Sequence, residues 1–286
     1  MGPPLLVEGL SLVTSVTNAL SIVLISKGMR DADANSASLT CTSIQALILS
    51  GLLVFRLPEI DWAAVAYFAI SGIFALGIGR LLYFMAVSRL GVSVSSAIIG
   101  SNPLISTFLA IIFLGEEVVL ATLMGVILVV SGVYLLSGAG DESFRSNAIL
   151  IPILSATSYA LSNVIRKAGL NIQPHPILGA QVGAVAGSLS FFLYLAATGR
   201  LSEISASRRG LGYFSASGLL SSLGWIALMM AMERGTVAVV TTIVYSYPLF
   251  SLILSWLFLR GQEDLSRNVV LGCIIVVVGV VLVSIF

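Results

Sequence analysis

Ala86 to Gly132 reads AVSRLGVSVSSAIIGSNPLISTFLAIIFLGEEVVLATLMGVILVVSG, and Ala231 to Gly279 reads AMERGTVAVVTTIVYSYPLFSLILSWLFLRGQEDLSRNVVLGCIIVVVG. Ala86 and Pro103 match Ala231 and Pro248 at one constant offset. Gly125 and Gly132 match Gly272 and Gly279 after a two-residue insertion near Gly261. Upstream, NALSIVLISKG from Asn18 matches YALSNVIRKAG from Tyr159. The chain is therefore a duplication, with a first unit over 1–140 and a second over 147–286.

Each unit is a set of membrane spans. Of the 286 residues, 58% are hydrophobic and 9% charged, where a soluble domain spends about a quarter on Asp, Glu, Lys and Arg. About 20 apolar residues cross the hydrocarbon as a helix. Ten such runs occur: Leu5 to Ser26, Asn35 to Phe55, Trp62 to Ser88, Gly91 to Leu114, Val118 to Ser137, Asn147 to Arg166, Ile177 to Thr198, Gly210 to Met232, Thr236 to Leu259 and Arg267 to Phe286. The fold class read from this pattern is an all-α integral membrane protein of ten transmembrane helices. Each unit contributes an odd number of spans, so the two five-helix repeats are inverted about a pseudo-two-fold axis in the membrane plane, around a central cavity.

The loops are too short for a soluble catalytic or receptor domain. Net charge is +1, which points to no nucleic-acid partner; the partners expected are a small-molecule substrate and the lipid bilayer. Cys41 and Cys273 lie inside apolar runs and form neither a disulfide framework nor a metal site. One histidine, His175, stands between two prolines in a loop. It supports no metal set and no nucleophilic triad, so an enzyme, a catalytic residue and a cofactor are all unexpected.

A small-residue turn, an apolar helix with a central proline, Leu114-Gly115-Glu116 at its end, and a glycine-containing fifth helix ending in Ser-Gly-Val resemble the EamA-type branch of the drug/metabolite transporter superfamily. In the second half the signature has decayed to Leu259-Arg260-Gly261-Gln262-Glu263. The resemblance implies a ten-helix exporter or exchanger of small metabolites, an amino acid or organic anion, in a multi-pass position in a cell membrane of prokaryotic inner-membrane type. It further implies that helices 1, 3, 4, 6, 8 and 9 surround the cavity, helices 5 and 10 support it, and both termini are cytoplasmic. Loop charges oppose that last point: Arg56, Arg166, Lys167 and Arg234 fall on the N-terminal face. Lys27, Arg30, Arg89, Arg145, Arg200, Arg208, Arg209, Arg260 and Arg267 fall on the other, against positive-inside.

Among the charged residues, only Arg80 falls clearly inside a run. A central arginine costs at least about 2.5 kcal/mol on insertion scales. One reading has it bind a substrate carboxylate or phosphate; the other has it snorkel or bond backbone carbonyls. Asn18 and Asn102 lie at similar depth, and their inverted counterparts, with Arg80's, are Tyr159, Trp225 and Tyr247. With Asn163 they make up the expected substrate-binding set, cationic and amide-rich on one side and aromatic on the other. Pro103 and Pro248 each remove a backbone donor and break their helices, as hinges or as ordinary kinks. Gly179, Gly183 and Gly187 form a packing ridge, within the chain or across a homodimer. Glu8 and Glu233 are the carboxylates considered for a coupling proton. Two further functions compete: a proton-coupled multidrug exporter, and a lipid-facing scaffold or flippase.

Overall fold

The computed structural model describes residues 4–29, 32–54, 59–136, 149–250, 253–254 and 267–285. The helices are α1 (Pro4–Gly28), α2 (Ala34–Val54), α3 (Trp62–Gly72), a π-helical segment (Ile73–Gly79), α4 (Arg80–Ile99), α5 (Asn102–Leu114) and α6 (Leu120–Leu136) in the first half. In the second they are α7 (Leu150–Ile172), α8 (Pro176–Ala197), α9 (Arg208–Arg234), α10 (Val237–Val244) and α11 (Arg267–Ile285). Among the described residues, five helices are long and apolar enough to span alone, and shorter apolar helices accompany them. The chain is an all-α membrane protein; a hydrocarbon solvent leaves the backbone no partner but its own helix.

Helix ends follow from particular side chains. Asp61 starts α3 by accepting from Ala63 N at 2.8 Å and Ala64 N at 3.2 Å. His175, expected as a free loop residue, starts α8 by accepting from Leu178 N through Nδ1 at 3.2 Å. Gly115 ends α5 in the left-handed region at φ 65°, which glycine adopts without a Cβ penalty. That turn delivers Glu116 outward, so the Leu-Gly-Glu signature is a helix stop followed by an acceptor.

Equivalent helices of the two halves pack on each other antiparallel, as an inverted repeat requires. On α6 and α11, a Cβ on Gly125 would meet Gly279 O at 2.8 Å, one on Gly279 would meet Gly125 O at 2.8 Å, and one on Gly132 would meet Gly272 O at 2.9 Å. The glycines that align between the repeats are therefore the ones that touch, and backbones approach where side chains are missing. The ridge on α8 packs within the chain, with Gly179 against Phe68, Gly183 against Gly72 and Gly187 against Leu76.

Three expected boundaries differ. The break between Ser88 and Gly91 is absent, since α4 runs unbroken from Arg80 to Ile99. Its counterpart in the second half, between Met232 and Thr236, does break. There Thr236 caps α10, its hydroxyl accepting from Val239 N at 3.3 Å, whereas the equivalent Gly91 offers no acceptor and costs a helix only about 1 kcal/mol. Conversely, helices break at Gly100–Ser101 and Tyr245–Ser246, just before the two prolines, so that each proline opens a new helix instead of kinking an old one. Ser101 Oγ donates to Ile98 O and Ser246 Oγ to Ile243 O, both at 2.6 Å. Finally, α7 continues past Arg166 to Ile172. The decayed signature 259–263 lies outside the described residues.

Candidate functional site

Two antiparallel contacts frame the interface between the halves. On α1, Thr14 Oγ1 donates to Gly224 O at 3.2 Å and Ser21 Oγ to Ser217 O at 3.2 Å. On α7, the aligned hydroxyls do the same against the third span: Ser155 Oγ donates to Gly79 O at 2.8 Å and Ser162 Oγ to Ser71 O at 2.7 Å. The donors are seven residues apart in both cases. The acceptors are seven apart on α9 but eight apart on the third span. One extra residue is thus fitted into the same rise, and the π-helical segment Ile73–Gly79 is where it goes. Ser158 Oγ satisfies the Phe74 carbonyl within it at 2.7 Å. Short π segments recur at functional sites, and this one ends at Arg80, whose N–H reaches back five residues to Ala75 O.

The guanidinium of Arg80 lies against the Tyr159 hydroxyl. Tyr159 is in electrostatic reach of Tyr83, Tyr245 and Tyr247, and Tyr245 in turn of Arg166. The rings of Tyr245 and Tyr247 stand 6.2 Å apart, tilted by 57°. A column thus runs from Arg80 through the tyrosines to Arg166, with both halves contributing. Tyr159, Tyr245 and Tyr247 lie deep in the molecule yet keep part of their surface accessible, as side chains around an internal space do.

Arg166 is the residue that reading the sequence misplaced. The apolar runs put Arg166 at the end of a span, among the loop charges of the N-terminal face, but it is 1% exposed. Its Nη1 donates to Asn163 Oδ1 at 3.0 Å and its Nη2 to Ser162 Oγ at 3.1 Å. Its Cζ sits 4.4 Å from the Trp225 ring centroid. Asn163 Nδ2 donates to Asn102 Oδ1 and Ser106 Oγ, each at 3.2 Å, and Asn102 Nδ2 to Ala156 O at 3.0 Å. Of the expected set, Asn102, Asn163 and Trp225 therefore gather around Arg166, while Tyr159 lies against Arg80 and Tyr247 is in reach of Tyr159 and Tyr83. Asn18 joins neither by a hydrogen bond; its Oδ1 lies beside Gly224, which makes Asn18 and Trp225 the mirror image of Tyr159 and Arg80. The charge was legible after all: in the aligned pair NALSIVLISKG and YALSNVIRKAG, Arg166 stands opposite Ile25, which lies inside α1 before its end at Gly28.

The halves also meet in a polar contact where α5 ends and α10 begins. Glu116 accepts from Val237 N with both carboxylate oxygens at 2.9 Å, capping α10, and Lys167 Nζ donates to Met232 O at 2.7 Å and Gly235 O at 2.9 Å at the end of α9. Each charge complements the helix dipole it meets. Glu233, considered for a coupling proton, pairs with Arg234.

Burial pushes the Glu116 carboxyl above its ordinary range, against the opposing pull of the Val237 N–H and the Lys167 ammonium. A raised folded-state value means the folded protein holds the proton more tightly than the unfolded chain. Stability from this group is then fully present below the ordinary carboxylate range and falls as pH rises through the raised value. Glu116→Gln removes that pH dependence but keeps an acceptor. Glu116→Ala leaves Val237 N without one and costs about 1 kcal/mol or more. Thermal unfolding in detergent across acid to neutral pH reads both, with Glu116→Gln flatter than wild type and Glu116→Ala least stable at neutral pH.

The EamA-like transporter family model matches the chain twice, over residues 5–138 and 146–285. An uncharacterized transporter of Archaeoglobus fulgidus is 24% identical over 275 residues, covering 96% of each chain. The uncharacterized transporter YvbV of Bacillus subtilis is 26% identical over 210 residues, 71% of this chain and 66% of its own. A solved crystal structure superposes with a TM-score of 0.78 at 16% identity, covering 97% of this chain and 96% of that one; at that identity the likeness concerns the fold.

Proposed function

The chain belongs to the EamA-like transporter family, and from that premise we propose that it is a secondary transporter, an exporter or exchanger, that moves a small metabolite of the amino acid or organic anion class by alternating access. The observation that carries this reading is the column of Arg80, Tyr159, Tyr247 and Tyr245, enclosed between inverted halves and lined from both. Arg80 offers a planar fork to an oxyanion, while Asn102, Asn163 and Trp225 around Arg166 at the other end of the column, and Asn18 beside Gly224, serve as polar and aromatic walls.

The helix breaks before Pro103 and Pro248 stand at matching positions of the two halves. Broken helices at the midplane let one half rock against the other about a fixed site, and these two are assigned that hinge role. The Glu116 and Lys167 contact closes the face on which α5 and α9 end. Opening that face and closing the other is the second state of the cycle.

Counterflow in proteoliposomes tests the proposal. Vesicles loaded with unlabelled solute, drawn from a panel of amino acids and small carboxylates, are expected to accumulate the same labelled solute transiently and saturably. Uptake that stays linear with concentration, and is indifferent to the internal solute across the panel, would count against it.

A further inference from the structure

Arg166 and Trp225 hold two donors that the protein leaves unused. Arg166 Nε and Trp225 Nε1 are both buried without a hydrogen-bond partner, although the two groups are stacked, one on α7 and the other on α9. A buried N–H with no acceptor is rare in a folded protein. Two on one stacked pair call for an acceptor from outside the chain.

The charge has the same vacancy. The hydrogen bonds that Arg166 makes go to a neutral amide and a neutral hydroxyl, and its stacking partner is an aromatic ring. Among the described residues, no ion pair is formed by it. A guanidinium taken from water needs a compensating negative charge. Asn163, held in turn by Asn102 and Ser106, fixes the guanidinium plane and leaves its Nε edge free.

We propose that this pair is an anion subsite, distinct from Arg80, that takes the carboxylate of the transported solute: one oxygen accepts from Arg166 Nε and the other from Trp225 Nε1. A carboxylate supplies two acceptors and the missing charge in one planar group. The indole face is already covered by the guanidinium, so the body of the solute extends away from the stack, toward Tyr245. This rests on the transport reading and adds to it which cation holds the anionic head. Arg80 then stands at the far end of the tyrosine column as a second station for the same anion as the molecule opens toward that side.

The test is isothermal titration calorimetry on the full chain in nanodiscs of zwitterionic lipid, with sodium benzoate and, separately, inorganic phosphate. Benzoate is expected to bind saturably and more tightly than phosphate. Arg166→Gln should weaken it by about tenfold or more, Trp225→Phe, which keeps a ring under the guanidinium, by several-fold, and Arg80→Gln by less than either. Wild-type affinity in both Arg166→Gln and Trp225→Phe would overturn the subsite, as would the absence of saturable binding to wild type. Loss of benzoate binding on exchange of the lipid for phosphatidylglycerol would give the subsite to a lipid headgroup and overturn its assignment to a solute. Benzoate binding that depends on Arg166, in a chain that shows no counterflow of any solute, would instead overturn the transport reading and leave the subsite standing.

Discussion

Arg80→Ala is expected to abolish saturable transport in proteoliposomes while the protein still inserts and remains monodisperse in detergent. Arg80 is the station the anion reaches as the molecule opens toward its side, and for that state removing one partner of a desolvated charge pair costs about 2–5 kcal/mol, roughly 30-fold to several thousandfold in affinity. The fold is expected to survive because Arg80 retains accessible surface and its neighbour Tyr159 is packed from α7 regardless. The π-helical segment is anchored by Ser155 and Ser158, not by Arg80. Arg80→Lys should recover part of the rate, since a point charge attracts an oxyanion but presents no fork. Transport unchanged in Arg80→Ala for every active solute would remove Arg80 from the site.

Gly72→Ala is expected to have the largest effect on folding. A methyl at Gly72 would come far inside van der Waals contact with the Gly183 carbonyl oxygen, with Gly183 Cα 2.6 Å away. Backbone cannot swing aside as a side chain can, so α3 and α8 must separate. Overpacking of this kind costs about 1–3 kcal/mol and sometimes more. The reciprocal change is mild: a methyl at Gly183 meets Phe68 O at 3.4 Å and Gly72 Cα at 3.8 Å. Thermal unfolding should therefore rank Gly72→Ala far below wild type and Gly183→Ala close to it. Equal effects would contradict the crossing geometry.

The contrast between these glycines shows what the sequence could and could not convey. The G-x-x-x-G spacing on α8 is visible as a ridge, and the matching prolines and glycines of the two halves are visible as a repeat, because each depends on residues of one helix or on self-alignment. Gly72 carries no such spacing; its importance comes from the helix that happens to cross it. The π-helical segment was equally invisible, since one residue in excess of a turn leaves no mark on an apolar run. It emerges only when the hydroxyls of α1 and α7 are set against their acceptors.

The site divides along the same line. Arg80 stood out because a charge interrupts an apolar run. Arg166 did not, because it adjoins Lys167, and two adjacent charges read as the end of a span. Each in fact bonds inside the molecule, Lys167 to the carbonyls that end α9, and Arg166 through Nη1 and Nη2 to Asn163 and Ser162 and by stacking on the Trp225 ring, with its Nε left over. The continuous α4 was missed for a different reason. Glycine permits a turn without requiring one, and the capping threonine that makes the equivalent turn obligatory exists only in the second half.

The proposed alternating access requires the Glu116 contact with α10 to open and close in every cycle. Cysteines placed at Glu117 and Arg234, which flank that contact in sequence, can be joined by a short homobifunctional thiol reagent with a cleavable disulfide, in a chain whose Cys41 and Cys273 are replaced by serine. Transport that stops on cross-linking and returns on reduction is the predicted result. A cross-linked protein that transports at the rate of the uncross-linked one would contradict the account.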